Sequence, residues 1–433
     1  MMDQVQYQVY LDTLLHELIP ATGCTEPIAI AYTAALCRDA LGKMPEASKI
    51  SVSGSILKNV KSVVVPATGG LKGIDTAAAA GFVAGRAENR LEVLQQAPED
   101  TGERVAAYLS QHPIEVLLSD SGYIFDIDLT CFSGNDTAEV RIVGHHTNVV
   151  LIRRNKDILY QAEIGCAEPA EISEEQLNID GVFEFAISCD IQDVEGVIQR
   201  QIDCNTALSR EGLTHPWGAC IGQILYASSG APDVQLLAKA RAAAGSDARM
   251  SGCEKPAVIN SGSGNQGITI TLPIVTYAEH LGASHEDLIR ALVLANLCSI
   301  RIKSAIGCLS AYCGAVCAGC AAGAGIAFLY GKDKSVIVHT IVNGLAILSG
   351  MICDGAKPSC AAKIAMSVEA GILAFKMASS GHEFFGGEGI VKKGIENTIR
   401  EVGKLGRIGM AQTNDVILDI MMEKSDTGSI QKY

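Results

Sequence analysis

Three cysteine-bearing segments stand far apart in the chain: Thr22-Gly23-Cys24-Thr25-Glu26-Pro27, Leu309-Ser310-Ala311-Tyr312-Cys313-Gly314, and Met351-Ile352-Cys353-Asp354-Gly355 running on to Pro358-Ser359-Cys360. Each sets a thiol beside Gly, Ser, Thr or Asp, where a helix begins or the backbone turns. A structural cysteine usually sits mid-element among apolar neighbours and is inert. Thiolates held at turns suit a metal centre, and three rather than four suit one with an open coordination position. The chemistry such a centre offers is that of a Lewis acid.

Other segments are suited to holding a small anion. Gly262-Ser263-Gly264-Asn265-Gln266-Gly267 spells G-x-G-x-x-G after Ala257-Val258-Ile259-Asn260, which reads as a strand. A dinucleotide site would also need a βαβ unit and an acidic residue ending a second strand, and no second strand follows the helical pattern of 268–281. The segment reads better as an anion nest, in which glycine amides and Ser261, Ser263 and Asn265 converge at a helix start on a carboxylate. A structural turn is the alternative. Ser246-Asp247-Ala248-Arg249-Met250 offers an arginine between small residues, fit to clamp a carboxylate or to make a surface ion pair. Gly144-His145-His146-Thr147-Asn148 joins two strands; neighbours along a strand point to opposite faces, so both histidines cannot serve one site. Gly386-Gly387-Glu388-Gly389 requires a sharp turn or a close approach. Cys313, Cys317 and Cys320 match C-x3-C-x2-C, but on a helix the i, i+4 and i+7 positions extend over about 10 Å and cannot wrap one cluster. Cys317 and Cys320 therefore read as small core residues.

The elements that position these groups divide the chain. Two helices broken at Pro20 open it, the second starting at Thr25-Glu26-Pro27 with Thr25 as N-cap. Cys24 then precedes a helix N-terminus, whose dipole lowers a thiol pKa. Lys49–Ile56 alternates like a strand and 74–86 is a small-residue helix. Alternating runs at 123–130, 138–143, 149–153 and 158–162 read as an antiparallel meander. Beyond Glu171 helical periodicity dominates. The expected fold is α+β: an N-terminal mixed α/β domain over 1–170, then a mostly helical domain over 171–433 that carries two of the three principal cysteines. Only the last ten residues read as disordered. The 433 residues supply an ample core, and the net charge of -14 argues against a nucleic-acid partner. No signal peptide is visible, so the 15 cysteines read as reduced thiols of a cytoplasmic protein. The uncharged stretch 304–331 is long enough to span a bilayer, but its Ala, Gly and Cys content marks buried central helices instead. No membrane association is expected, and a homo-oligomer is left open.

Taken together, 22–27, 144–148, 246–250, 260–267, 309–313, 351–360 and 387–391 resemble the L-cysteine desulfidase family and, more distantly, the iron–sulfur L-serine dehydratases. The resemblance implies a [4Fe-4S] cluster held by Cys24, Cys313 and Cys353, with Cys360 as a substitute or neighbour. One iron is left free, and the reaction is β-elimination of L-cysteine to hydrogen sulfide, ammonia and pyruvate. The dehydratases carry Ser-Ser-Ser-His-Thr where this chain has Ala21-Thr22-Gly23-Cys24-Thr25, which favours the desulfidase branch. The small amino-acid substrate is expected on Ser261, Gly262, Ser263, Gly264, Asn265, Gln266, Arg249 and Asn148. His146 is the first choice of base or acid because an imidazole titrates near neutrality. An L-serine dehydratase, or a non-catalytic cluster-bearing sensor or small-molecule binding protein, are the alternatives.

Overall fold

The computed structural model describes residues 2–164, 173–228, 230 and 233–422. The expected domain boundary near 170 and the expected disordered tail lie outside the described residues. The architecture is α+β, with the β structure concentrated between residues 47 and 161 and helices dominating from residue 179 onward.

A six-stranded sheet runs in the order Ile114–Leu118, Ala47–Val52, Asp126–Ser133, Asp136–Val143, Val149–Arg154, Asp157–Gln161. The first two strands pair in parallel and the rest form the antiparallel meander. Period-two alternation sends Ile50, Val52, Ile127, Leu129, Val140 and Ile142 to one face, where they share a core with Ile28, Ile30, Ala78 and Phe82 of the helices Thr25–Leu41 and Ile74–Ala84. Lys49, Thr130, Glu139 and Arg141 alternate with them and face outward. The strand expected over 49–56 stops at Val52, because the Ser53 hydroxyl accepts a hydrogen bond from the Ile56 amide and caps a helix, Gly54–Val60.

The helical unit has its own core, to which the first helix, Gln4–Glu17, contributes Tyr10, Leu11 and Leu14. At its centre Gly314–Leu329 packs on Cys360–Ser379 with the backbones nearly touching: a Cβ on Gly371 would stand 2.0 Å from the Gly319 carbonyl oxygen. Cys317 and Cys320 are fully buried on this helix, as core residues. No helix among the described residues is long and apolar enough to cross a membrane.

A short antiparallel ribbon ties the two units together, Pro20–Thr22 pairing with Pro256–Val258. One strand leads straight into Cys24 and the other into Ser261. The ribbon therefore sets two functional segments side by side.

Candidate functional site

Where the units meet, a cavity of about 120 Å³ is lined by Cys24, Glu26, Asn59 and His146 from the first unit. Arg249, Ser261–Ser263, Asn265, Gln266, Lys303, Cys308, Tyr312, Cys313, Cys353, Cys360 and Lys363 line it from the helical unit. The three cysteine segments thus converge in space.

Cys313 and Cys353 are brought together by a local β-bridge. Tyr312 pairs antiparallel with Ile352, and the Cys313 amide donates to the Met351 carbonyl at 3.1 Å. Cys313 then caps the helix Gly314–Leu329, and Cys360 opens the helix Cys360–Ser379. The Cys313 and Cys353 thiols share a hydrogen bond that lowers the Cys353 pKa and raises that of Cys313, with Lys58, the Gly355 amide and Lys303 also pulling Cys353 down against its burial. Cys360 lies close enough for its charge to act on Cys313 and for the Cys353 charge to act on it.

Cys24 packs with Val63 and Met250, a cluster Cys360 also lies against, but has a different polar partner. It is the N-cap of Thr25–Leu41, with Thr25 as the first helical residue rather than the cap. The Thr25 hydroxyl instead bonds the Gly262 carbonyl at 2.9 Å, joining the two site loops. The expected lowering of the Cys24 pKa is reversed: burial, and then the Glu26 carboxylate, push the thiol well up, outweighing the helix dipole. The thiol donates to Glu26 Oε2 at 3.1 Å, and Asn59 donates to Oε1 at 3.3 Å.

His146 stands behind this pair, its Nε2 4.0 Å from Glu26 Oε1. It lies in the turn between strands, edge-on to Phe125, while His145, which does not line the cavity, packs at a tilt against His16. Burial drives the His146 pKa down to about 3, with His145 adding to the effect. The expected titration near neutrality is therefore corrected, and the ring is neutral at pH 7. Neither ring nitrogen has a hydrogen-bond partner. A buried imidazole in that condition awaits a ligand or water.

The segment expected to form an anion nest turns sharply into a helix start. Ser261 and Gly262 take positive φ, 48° and 74°, and Ser263 is the N-cap residue of the helix Gly264–Leu281, whose Asn265 and Gln266 line the cavity. Arg249 ends the helix Val234–Met250 and is 2% exposed. Its Nη1 donates to Asn265 Oδ1 at 3.2 Å, whereas Nε and Nη2 have no partner. Gln266 Oε1 and the Tyr312 hydroxyl are likewise buried and unpaired. Asn148 is not part of this assembly: its side-chain amide donates to the Val143 carbonyl at 2.8 Å and closes the turn. The Gly386–Gly389 turn does not line the cavity either, and Glu388 accepts from the Phe385 amide at 2.9 Å.

Asp247, two residues before Arg249, has a structural task. Its carboxylate accepts from the Gly222 amide at 2.9 Å, and burial pushes its pKa to about 6. The folded chain thus keeps a proton that the unfolded chain, with its value of 3.8, releases. Stability from this group falls as pH rises from about 4 to about 6 and stays lower above it. Asp247→Asn keeps an acceptor for the amide and removes the charge. It should raise thermal stability at pH 8 by on the order of 1 kcal/mol and change it little at pH 4; equal melting shifts at both values would show that the charge is not the cause.

Residues 61–419 match the family of the serine dehydratase alpha chain. The chain belongs to that family. Its members are dehydratase-type lyases that typically depend on an iron–sulfur cluster. Among relatives of this family member, a UPF0597 protein of Desulfitobacterium hafniense is 49% identical over 419 residues, covering 96% of this chain and 97% of the relative. A UPF0597 protein of Finegoldia magna is 43% identical, covering 96% and 99%, and one of Treponema denticola 40% identical, covering 98% and 99%.

Among the described residues, no three Cys, His, Asp or Glu side chains are arranged to hold a single metal ion. A four-iron cube makes a different demand, since it offers separate irons to separate thiols around a shared space. Cysteines at the ends of separate elements, facing one cavity with buried lysines nearby, match that demand in donor type and charge. Sequence reasoning missed Glu26, Asn59, Lys58, Lys303 and Lys363. Glu26 carried a signal, being two residues from Cys24 and on a helix otherwise buried over its first turns. The lysines carried none, because helical patterns do not show which charge turns inward.

Proposed function

We propose that this chain is an iron–sulfur lyase that eliminates the β-substituent of a small L-amino acid, converting L-cysteine to hydrogen sulfide, ammonia and pyruvate. The observation that carries the reading is Arg249. It is a buried guanidinium with two unpaired nitrogens, beside a helix N-terminus and in one cavity with Cys313, Cys353 and Cys360. An α-carboxylate satisfies both the arginine and the helix amides.

Cys313, Cys353 and Cys360 would hold the cluster, while Cys24, whose charged neighbours are Glu26 and Arg249, faces the substrate. When bound, the cluster supplies an iron with an exchangeable position, a Lewis acid toward the departing sulfur. The remaining work falls to the chain's own side chains. Arg249 and the amides of 263–265 fix the carboxylate, and Gln266 Oε1 accepts from the α-ammonium. Cys24 and Glu26 handle the α-proton: the thiol passes its proton to Glu26 Oε2 as its sulfur takes up the one from Cα. His146, held neutral, pairs with the substrate or with Glu26 and brings no second positive charge to the ammonium. Aminoacrylate then leaves and hydrolyses to pyruvate and ammonia.

Sulfur is the softer ligand for iron and thiolate the better leaving group, which supports L-cysteine over L-serine. The test is anaerobic reconstitution with iron and sulfide, followed by assays of sulfide and pyruvate from each amino acid. kcat/KM for cysteine should exceed that for serine by at least about tenfold, or ~1.4 kcal/mol of differential transition-state binding. Equal or reversed efficiencies would make the chain a serine dehydratase. A loaded cluster with no turnover of either substrate would remove the lyase reading in favour of a sensor or binding protein.

A further inference from the structure

Lys58 is a buried cation that nothing in the catalytic scheme uses. It lies on the helix Gly54–Val60 and is 1% exposed. Its Nζ is held by neutral acceptors, Asn414 Oδ1 at 2.6 Å and the Leu309 carbonyl at 3.5 Å, and among the described residues it forms no ion pair with a carboxylate. A buried charge without a counter-ion is strongly destabilising. Burial holds its pKa below the ordinary lysine value, and the foremost charge working against that burial is the Cys353 thiolate. The packing is intimate: Gly355, two residues beyond Cys353, takes φ +93°, and a Cβ there would lie 2.2 Å from the Lys58 carbonyl oxygen. The lysine is tethered from the far side by Asn414 on the helix Ala411–Met422. That helix is seated on Gly54–Val60, where Leu418 covers Gly54 and the Met421 carbonyl accepts from Lys61 Nζ.

We propose that Lys58 is the built-in counter-charge of the thiolate centre, and that Asn414 is a positioning residue that keeps it there. Docking of the 411–422 helix thereby sets the electrostatics of a site to which it contributes no ligand. This rests on the reading that Cys313, Cys353 and Cys360 hold an iron–sulfur cluster. A cation beside such a cluster favours its reduced, more negative state, so withdrawing the charge lowers the potential.

The full-length chain and its Lys58→Met and Asn414→Asp variants are reconstituted anaerobically, and folding is checked by thermal unfolding. Iron and sulfide per chain, midpoint potential by spectroelectrochemical titration, and the rate of iron release to a chelator are then measured. Lys58→Met removes the charge at nearly constant shape, and Asn414→Asp cancels it with a carboxylate at the same place. Both variants should move the midpoint to more negative values, and Lys58→Met should release iron at least about tenfold faster. If Lys58 only pins two helices together, Asn414→Asp strengthens the contact and leaves the potential at the wild-type value; that result overturns the proposal. Should Lys58→Met fail to fold, Asn414→Asp alone decides. A wild-type chain that takes up no iron sinks the cluster reading, and this inference with it. A loaded wild type with unshifted variants sinks this inference alone.

Discussion

Arg249→Met, in anaerobically reconstituted protein, is expected to lower kcat/KM for L-cysteine by about three orders of magnitude and leave iron content unchanged. The size follows from two charge-assisted hydrogen bonds, each worth about 1.5–3 kcal/mol, since about 4 kcal/mol corresponds to a thousandfold. Methionine fills the space without leaving a buried charge, so a fall in activity reports the lost clamp rather than a collapsed cavity. Gly264→Val approaches the same interaction from the other side. Its Cβ would stand 2.3 Å from Arg249 Nε, forcing the guanidinium out of line. KM should rise sharply with cluster absorbance intact. Unchanged KM in both variants would demote the cradle to a structural turn and send the search for the carboxylate elsewhere in the cavity.

The parts of the site legible in the sequence are those whose backbone conformation and chemistry coincide. Ser261 to Gly267 could be read as an anion nest because glycines at a helix start have a recognisable spelling, and Arg249 because small residues flank it. The meander was legible from alternation with ends displaced by up to three residues, as where the strand read from 123 begins at Asp126, and the strand read over 49–56 ends four residues early, at the Ser53 cap. The environment of each group was hidden. A dipole argument for Cys24 needs only its place before a helix, but the sign of its shift depends on burial and on Glu26 folding back toward it. His146 carries the pKa of a free imidazole on the page of a sequence and loses it when Phe125 and the sheet enclose it. Lys58 has its task only because the 411–422 helix, some 350 residues later, returns to cover it. Such facts belong to tertiary packing, which no local pattern encodes.

The thiols offer the sharpest separation of roles. Cys353→Ala and Cys360→Ala should each abolish stable cluster uptake, measured as iron and sulfide per chain after anaerobic desalting. Removing one of three ligands leaves two thiolates to hold a cube whose third corner is open to solvent and chelators. Cys24→Ala should retain iron and lose turnover by about a thousandfold, within the range a positioned proton-transfer group supplies. The distinction rests on neighbours: Cys313, Cys353 and Cys360 act on one another, whereas the Cys24 thiol is committed to Glu26 at 3.1 Å. Glu26→Gln should follow Cys24→Ala, since an amide still accepts the thiol's hydrogen bond but cannot take its proton. If Cys24→Ala instead loses its iron while Cys360→Ala keeps it, Cys24 is the third ligand, as the sequence resemblance implied. The proton then passes to Glu26 directly, and His146 becomes the nearest group able to relay it.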